Sequence, residues 1–318
     1  MPEGDTVYRA AAHMRQALRD RVLTRAELRV PRFSAVDLVG RRVEDVRSRG
    51  KNLVVVVCPD QYGRDPVTLH LHLKMEGRIH VLAAGERWRF PAHTVRLVLG
   101  VGDSGADRPG AGGSGGHSGG GAVEVVGTDL GYLRALTPGE VEVALAELGP
   151  DLLGNDWARD PRAATDEAVR RLAARPTRTI GEALLDQRNL AGIGTIYRAE
   201  LCFLRGIDPR DPVAAVPDLP GVVTLARRLL LANADRAVRV TTGHARRGRE
   251  LWVYGRDGQP CRRCGTLVQT YRLGGRGAGD LASPGGPART GEPVDSLDRI
   301  AFSCPSCQPR RSGPAVPR

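Results

Sequence analysis

Lysine is almost missing from this chain. Only Lys51 and Lys74 occur among 47 basic residues, and the rest are arginine. A GC-rich coding sequence accounts for such a bias. It also makes each surviving lysine a candidate for a role that arginine cannot fill, because arginine is a fixed planar cation while lysine is a compact donor whose pKa can shift. Long apolar runs are missing too. No stretch of 18 apolar residues exists, which excludes an ordinary membrane-spanning helix. The first residues, MPEGDTVYRA, are acidic at once and lack an apolar core, so no secretory leader is expected and a cytoplasmic protein is.

What is present is positive charge. The 318 residues carry a formal net charge of +11, and 41% of them are hydrophobic. That combination fits a globular protein with a polyanionic partner, nucleic acid first. Between Arg236 and Arg272 there are nine arginines and two acids, Glu250 and Asp257. Phosphate neutralisation is the natural use of such density; a solvated basic surface is the alternative.

The pattern along the chain changes character. Val7, Ala10, Ala11, Met14 and Leu18 recur at helical spacing over 6–20. Strands are predicted at Leu53–Cys58, Val67–Leu73, Thr94–Leu99 and Val123–Val126. A Gly/Ser-rich stretch over about 102–122 cannot build a core and reads as an insertion between paired strands. Thr137-Pro138-Gly139-Glu140 is a capping box opening a helix predicted to reach Gly149. Helical patterning continues to about 240, with a second capping box at Thr179–Glu182 opening a helix through Gln187. Further helices are predicted over Ile196–Leu204 and Val222–Val240. A second Gly/Pro-rich insertion covers about 274–293. The domains expected are 1–136, a β domain; 137–255, a helical domain; 256–310, a small metal module; and a disordered tail over 311–318.

Of six cysteines, Cys58 and Cys202 lie in apolar runs and read as buried thiols. The other four form two C-x-x-C pairs, Cys261/Cys264 and Cys304/Cys307. Each pair can supply two thiolates to one tetrahedral Zn²⁺. The 39 residues between the pairs shrink to 19 without the insertion. Flanking segments G-T-L-V-Q-T-Y and R-I-A-F-S then read as a hairpin. Four protein ligands leave no open position, so the zinc would be structural.

The N-terminus carries a second kind of chemistry. Removal of Met1 would expose the secondary amine of Pro2. An α-amine titrates near pKa 7.7–8.0 against about 10.4 for lysine, so roughly a tenth of it is a neutral nucleophile at pH 7. Such an amine can form an iminium with a sugar C1′. Glu3 beside it could act as acid or base.

Four motifs occur in order: M-P-E-G, S-R-G-K around Lys51, D-Q-R-N-L-A-G-I-G, and the C-x-x-C…C-P-x-C-Q finger. In these the chain resembles the formamidopyrimidine-DNA glycosylase and endonuclease VIII family, most nearly the actinobacterial endonuclease VIII branch that opens M-P-E-G-D-T-V. The resemblance spans nearly the whole chain apart from the two insertions. It implies an α+β fold with an N-terminal β-sandwich, a helix–two-turns–helix domain and a zinc-ribbon β-hairpin. It implies a monomer that binds damaged double-stranded DNA in the bacterial nucleoid. The activity implied is that of a bifunctional DNA glycosylase and AP lyase.

By the same resemblance, Pro2 is the Schiff-base nucleophile and Glu3 the proton donor. Lys51 is the proton donor of β-elimination. Arg299, five residues before Cys304, grips the flanking phosphate and serves δ-elimination. The H-L-K-M-E-G loop matches the family's wedge loop, with Met75 filling the void of the flipped base and Lys74 beside it; ordinary core packing is the other reading of Met75. His72 matches a phosphate-contacting histidine, although His70 or His72 could equally be structural. Thr195 stands where the family has Asn at a helix start. Both are good N-caps, but the shorter arm implies weaker DNA binding than in an Asn-bearing relative. D-L-G-Y-L-R at 129–134 lacks the Arg and Phe of the purine-specific branch, which favours oxidised pyrimidines over 8-oxoguanine. An inactive damaged-DNA binder, an 8-oxoguanine/formamidopyrimidine-type purine glycosylase and an RNA-binding zinc-ribbon protein are the alternatives.

Overall fold

The computed structural model describes residues 2–59, 63, 65–102, 121–273 and 299–311. Both Gly-rich segments fall outside these, apart from Gly102, Gly121 and Ala122, and Arg311 alone is described of the tail. The chain forms two compact units, Met1–Asn155 and Asp156–Arg318. Among the described residues no helix is long and apolar enough to cross a membrane.

The first unit begins with α1 (Gly4–Leu18) and continues through β1 (Leu23–Leu28), β2 (Val43–Arg49), β3 (Asn52–Val57), β4 (Val67–His72), β5 (Arg78–Ala83), β6 (Val95–Val101), β7 (Val123–Thr128) and β8 (Tyr132–Leu136), ending in α2 (Pro138–Leu145). Two antiparallel four-stranded sheets result, ordered β1-β6-β7-β5 and β2-β3-β4-β8. Period-two alternation makes them a sandwich. Leu53, Val55, Val57, Leu69 and Leu71 of one sheet share a core with Leu97, Leu99, Val101 and Val125 of the other. Val7, Ala11, Met14 and Leu18 of α1 join that core on one helical stripe. On the opposite face of the second sheet lie Asn52, Val54, His70, His72 and Tyr132, paired across β3, β4 and β8.

Four of these strands carried no clear sequence signal. In β1 (LTRAEL) and β2 (VEDVRSR), arginine and acids interrupt the apolar alternation; β5 (RIHVLA) opens on Arg78 and carries His80, and β8 (YLRAL) is five residues long with Arg134 at its centre. The Thr137–Glu140 capping box is present, but α2 stops at Leu145 rather than Gly149. Pro150 lacks an N–H for the ladder and disfavours helix in the residue before it.

The second unit contains α3 (Asp156–Arg159), α4 (Pro161–Ala173), α5 (Ile180–Leu185), α6 (Thr195–Arg205), α7 (Leu219–Asn233), β9 (Gln269–Leu273) and β10 (Arg299–Ser303). Side-chain caps start three helices: Asp160 accepts from Ala163 N–H at 2.9 Å, Thr179 from Glu182 at 3.3 Å and Asp218 from Gly221 at 2.8 Å. Gly206, at φ +62°, ends α6.

Two helices are shorter than predicted. α5 ends at Leu185, because the Gln187 amide turns inward to donate to the carbonyls of Leu185 (2.8 Å) and Ile193 (2.9 Å). Gly192 N–H donates back to its Oε1 at 2.9 Å. The predicted helix to Val240 stops at Asn233, whose amide pairs with both backbone groups of Val240 (2.7 and 3.0 Å). The cysteine hairpin is an antiparallel pair, Arg299↔Leu273 to Ser303↔Gln269. It packs on α6 through Ala199, Phe203, Val253, Val268 and Cys304.

Candidate active site and metal centre

Pro2 is half-buried at the head of α1. Glu3 is the N-cap residue of that helix, and its carbonyl accepts Val7 N–H at 3.0 Å. Its side chain is fully buried, at 0% exposure. The carboxyl beside Pro2 is thus held away from bulk water.

Lys51 sits in a two-residue turn, since Arg49 pairs with Asn52 across it. Gly50 supplies the positive φ (+58°) such hairpins require. Two buried side chains clamp this turn. Asp151, 2% exposed, accepts Gly50 N–H at 2.9 Å on Oδ2 and Leu153 N–H at 3.1 Å on Oδ1. Asn52 donates from Nδ2 to the Arg49 carbonyl at 3.1 Å. Asp151 was invisible to sequence reasoning because it lies 101 residues from Gly50.

The H-L-K-M-E-G segment is a tight turn after β4. Gly77 N–H closes it onto the Leu73 carbonyl at 2.9 Å. Lys74 adopts the left-handed region (φ +48°), and its N–H donates to His72 Nδ1 at 2.8 Å. The geometry projects Met75 outward, 58% exposed, so it is not a core residue. Lys74 and Glu76 flank it, also exposed. Burial, with the nearby positive charges of Lys51, Lys74 and then His70, pushes His72 down to about 4. His70 also falls to about 4, through burial and then Arg134. Both imidazoles are neutral at pH 7. One face of β4 thus carries a neutral histidine that feels both lysines of the chain.

In the second unit, Thr195 is the first residue of α6, and Gly194 is its N-cap. This corrects the expectation that residue 195 caps the helix: Gly194 has the extended N-cap backbone (φ −125°, ψ −163°), and Thr195 is already helical. Arg299 opens β10 opposite Leu273. Sequence reasoning also passed over Glu200, which is completely buried. It accepts the N–H groups of Trp252 (2.7 Å), Val253 (2.9 Å) and Tyr254 (2.9 Å), and the Thr241 hydroxyl. Burial pushes its carboxyl upward while these four donors oppose the rise. They tie α6 to the segment that enters the first cysteine pair.

The sulfurs of Cys261, Cys264, Cys304 and Cys307 all lie within 4.8 Å of one another. Individual separations are 3.4 Å for Cys264–Cys304, 3.5 Å for Cys264–Cys307 and 3.9 Å for Cys261–Cys307. Four sulfurs about 2.3 Å from a central tetrahedral ion stand roughly 3.8 Å apart. A disulfide would need about 2.05 Å, and all four cysteines are free. The four are positioned to hold a metal ion. Cys202 is fully buried, and burial pushes its thiol up to about 12, as expected of a core residue.

A family profile described as "Formamidopyrimidine-DNA glycosylase N-terminal domain" matches residues 1–106. The chain is 44% identical to a Streptomyces coelicolor protein named "Probable endonuclease 8 2", over 99% of this chain and 95% of the relative. It is 41% identical to the "DNA-(apurinic or apyrimidinic site) lyase Nei2" of Mycolicibacterium smegmatis, over 97% of this chain and 99% of that one. The chain belongs to the formamidopyrimidine-DNA glycosylase and endonuclease VIII family. The family fold is present as well. A Lactococcus lactis Fpg structure, in complex with DNA containing an abasic site, superposes with a TM-score of 0.66 at 18% identity, over 97% of this chain and all of that one. The family's α+β plan of sandwich, helical part and four-cysteine hairpin is thus the fold of this member.

Proposed function

We propose that this chain is a bifunctional DNA glycosylase and AP lyase of base excision repair, acting as a monomer on damaged double-stranded DNA in the nucleoid. The observation that carries the reading is 41% identity, over nearly the full length of both chains, to a relative named as a DNA-(apurinic or apyrimidinic site) lyase. On this reading the Pro2 amine, freed of Met1, attacks C1′ of a flipped nucleotide. The base leaves with the glycosidic electron pair and takes a proton, with Glu3 as the donor. Lys51 assists the β-elimination that breaks the bond on the 3′ side. Arg299 holds the flanking phosphate and serves the δ-elimination on the 5′ side.

The functional parts are 1–136 for catalysis, 137–255 for DNA binding and 256–310 for the finger. Met75, flanked by Lys74, is the wedge, and His72 and Thr195 contact the backbone. Support for the wedge comes from the exposure of Met75, since an apolar side chain held in water on a closed turn has surface to gain from base stacking. One Zn²⁺ on the four cysteines is structural, because four thiolates fill its tetrahedron. Oxidised pyrimidines are the preferred lesions, since the Asp129–Arg134 segment lacks the purine-branch Arg and Phe.

The test is borohydride trapping. Purified protein is mixed with an abasic-site or thymine-glycol duplex and sodium borohydride. A covalent adduct that disappears in Pro2→Thr is the expected result. No trapping on any lesion substrate would leave a damaged-DNA binder without activity.

A further inference from the structure

The Lys51 turn rests on a polar cluster that the resemblance does not explain. Asn52 is 9% exposed and His70 is 3% exposed. Asn52 Oδ1, His70 Nε2 and the Tyr132 hydroxyl form a closed triangle. The hydroxyl donates to Asn52 Oδ1 at 2.8 Å, and His70 Nε2 lies 3.0 Å from each of the other two atoms.

Proton counting fixes the arrangement. His70 is neutral, so its ring carries one N–H. Its Nδ1 is buried without a hydrogen-bond partner. A proton on Nδ1 would leave a buried donor unsatisfied and set two acceptors, Nε2 and Oδ1, against each other at 3.0 Å. The proton therefore sits on Nε2, and Oδ1 of Asn52 accepts from both His70 and Tyr132. That sets the direction of the amide. A flipped Asn52 would point its NH₂ at two donors and its oxygen at the Arg49 carbonyl. With the amide so locked, Nδ2 holds the Arg49 carbonyl at one end of the turn. Asp151 holds Gly50 N–H in the middle. The backbone that carries Lys51 is thereby fixed on both sides.

We propose that Asn52 is a positioning residue for Lys51, with its amide oriented by Tyr132 and His70, so that these side chains set the aim of the elimination catalyst. The proposal rests on the functional reading given above for Lys51. Asn52→Asp keeps the size and the acceptor but loses the donor to Arg49, and places an anionic oxygen against a carbonyl. Tyr132→Phe removes one hydroxyl and preserves the ring, so it is the gentler variant should the first fold poorly.

Full-length wild type and both variants are compared on an abasic-site duplex in single turnover, with borohydride trapping and strand scission measured in parallel and unfolding followed by heat. Trapping reports Pro2, while scission reports the Lys51 step. The expected result is near-normal trapping with scission slowed about 10- to 100-fold in Asn52→Asp, the range that a small misplacement of a catalytic group produces. Tyr132→Phe should slow scission less, with its melting temperature nearly unchanged. Scission and trapping that fall together, or a wild-type ratio in both variants, would overturn the proposal. A wild type that traps nothing would overturn the functional reading itself, and this proposal with it.

Discussion

The sandwich and the cysteine hairpin solve one problem, holding a few polar atoms still, by different means. In the sandwich a large two-sheet core comes first, and chemistry is added at its turns. The Lys51 turn is set by a strand pair and two buried side chains, and the Met75 turn by the half-buried His72 at the end of β4. The hairpin has two five-residue strands and a small core shared with α6. Hydrophobic burial on that scale does not hold a hairpin alone, and the metal proposed for the four cysteines would supply the rest. The sandwich should therefore yield to point changes locally, while the hairpin should fail as a whole.

The largest effect expected follows from that contrast. Metal binding contributes roughly 10–16 kcal/mol in small zinc modules. Cys304→Ser, or a strong chelator, should unfold the hairpin and abolish specific binding to a lesion duplex. The melting transition of the sandwich should persist. Fluorescence anisotropy with labelled duplex, beside calorimetry and metal content, checks both halves. Loss of the sandwich transition as well would mean that the two regions are not independent.

Next comes Met75, the proposed wedge. Met75→Ala shortens an exposed side chain and leaves the turn bonds from Lys74 to His72 and from Gly77 to Leu73 intact. Affinity for a lesion duplex should fall about tenfold, or about 1.4 kcal/mol, a part of the few kcal/mol needed to hold a base step open. Affinity for undamaged duplex should hardly change. Equal losses on both duplexes would assign Met75 to general DNA contact.

A third expectation is a dependence of stability on pH. His70 and His72 titrate near 4 in the folded chain against about 6.5 unfolded. Between these values the unfolded state binds more protons, so acid favours unfolding. Stability from these two groups is complete above about pH 6.5 and lost as pH falls toward 4. A series of thermal melts over that window should show a declining midpoint, with a shallower slope in His70→Asn. The hairpin holds neither histidine and should show no such component.

Legibility in the sequence followed the range of the interactions. The capping box at Thr137, the N-cap at Thr179 and the two cysteine pairs are local patterns, and they read directly. The Leu53 and Val67 strands were legible because one face is uniformly apolar. β1, β2, β5 and β8 were not, because arginine and acids break up β1 and β2, while β5 and β8 are short and interrupted by Arg78, His80 and Arg134. The ends of α5 and α7 were missed because a single amide, Gln187 or Asn233, turns back to satisfy distant backbone groups. The same holds at the candidate site. Pro2, Glu3 and Lys51 belong to recognisable motifs, while Asp151 and Tyr132 meet the Lys51 hairpin only after some 80 to 100 residues of intervening chain have folded.

Gly131 sits beside the Met75 turn, with its N–H bound to the His72 carbonyl at 2.8 Å. A Cβ built there would lie 2.2 Å from Lys74 Cγ and 2.8 Å from its Cβ. These atoms lie near the backbone, so the lysine cannot simply swing aside, and the left-handed turn itself would have to shift. A single methyl group at 131 would thus reshape the turn that carries Met75 from a different strand connection. Laboratory selection for altered lesion preference could act through this position without replacing any residue assigned to contact DNA.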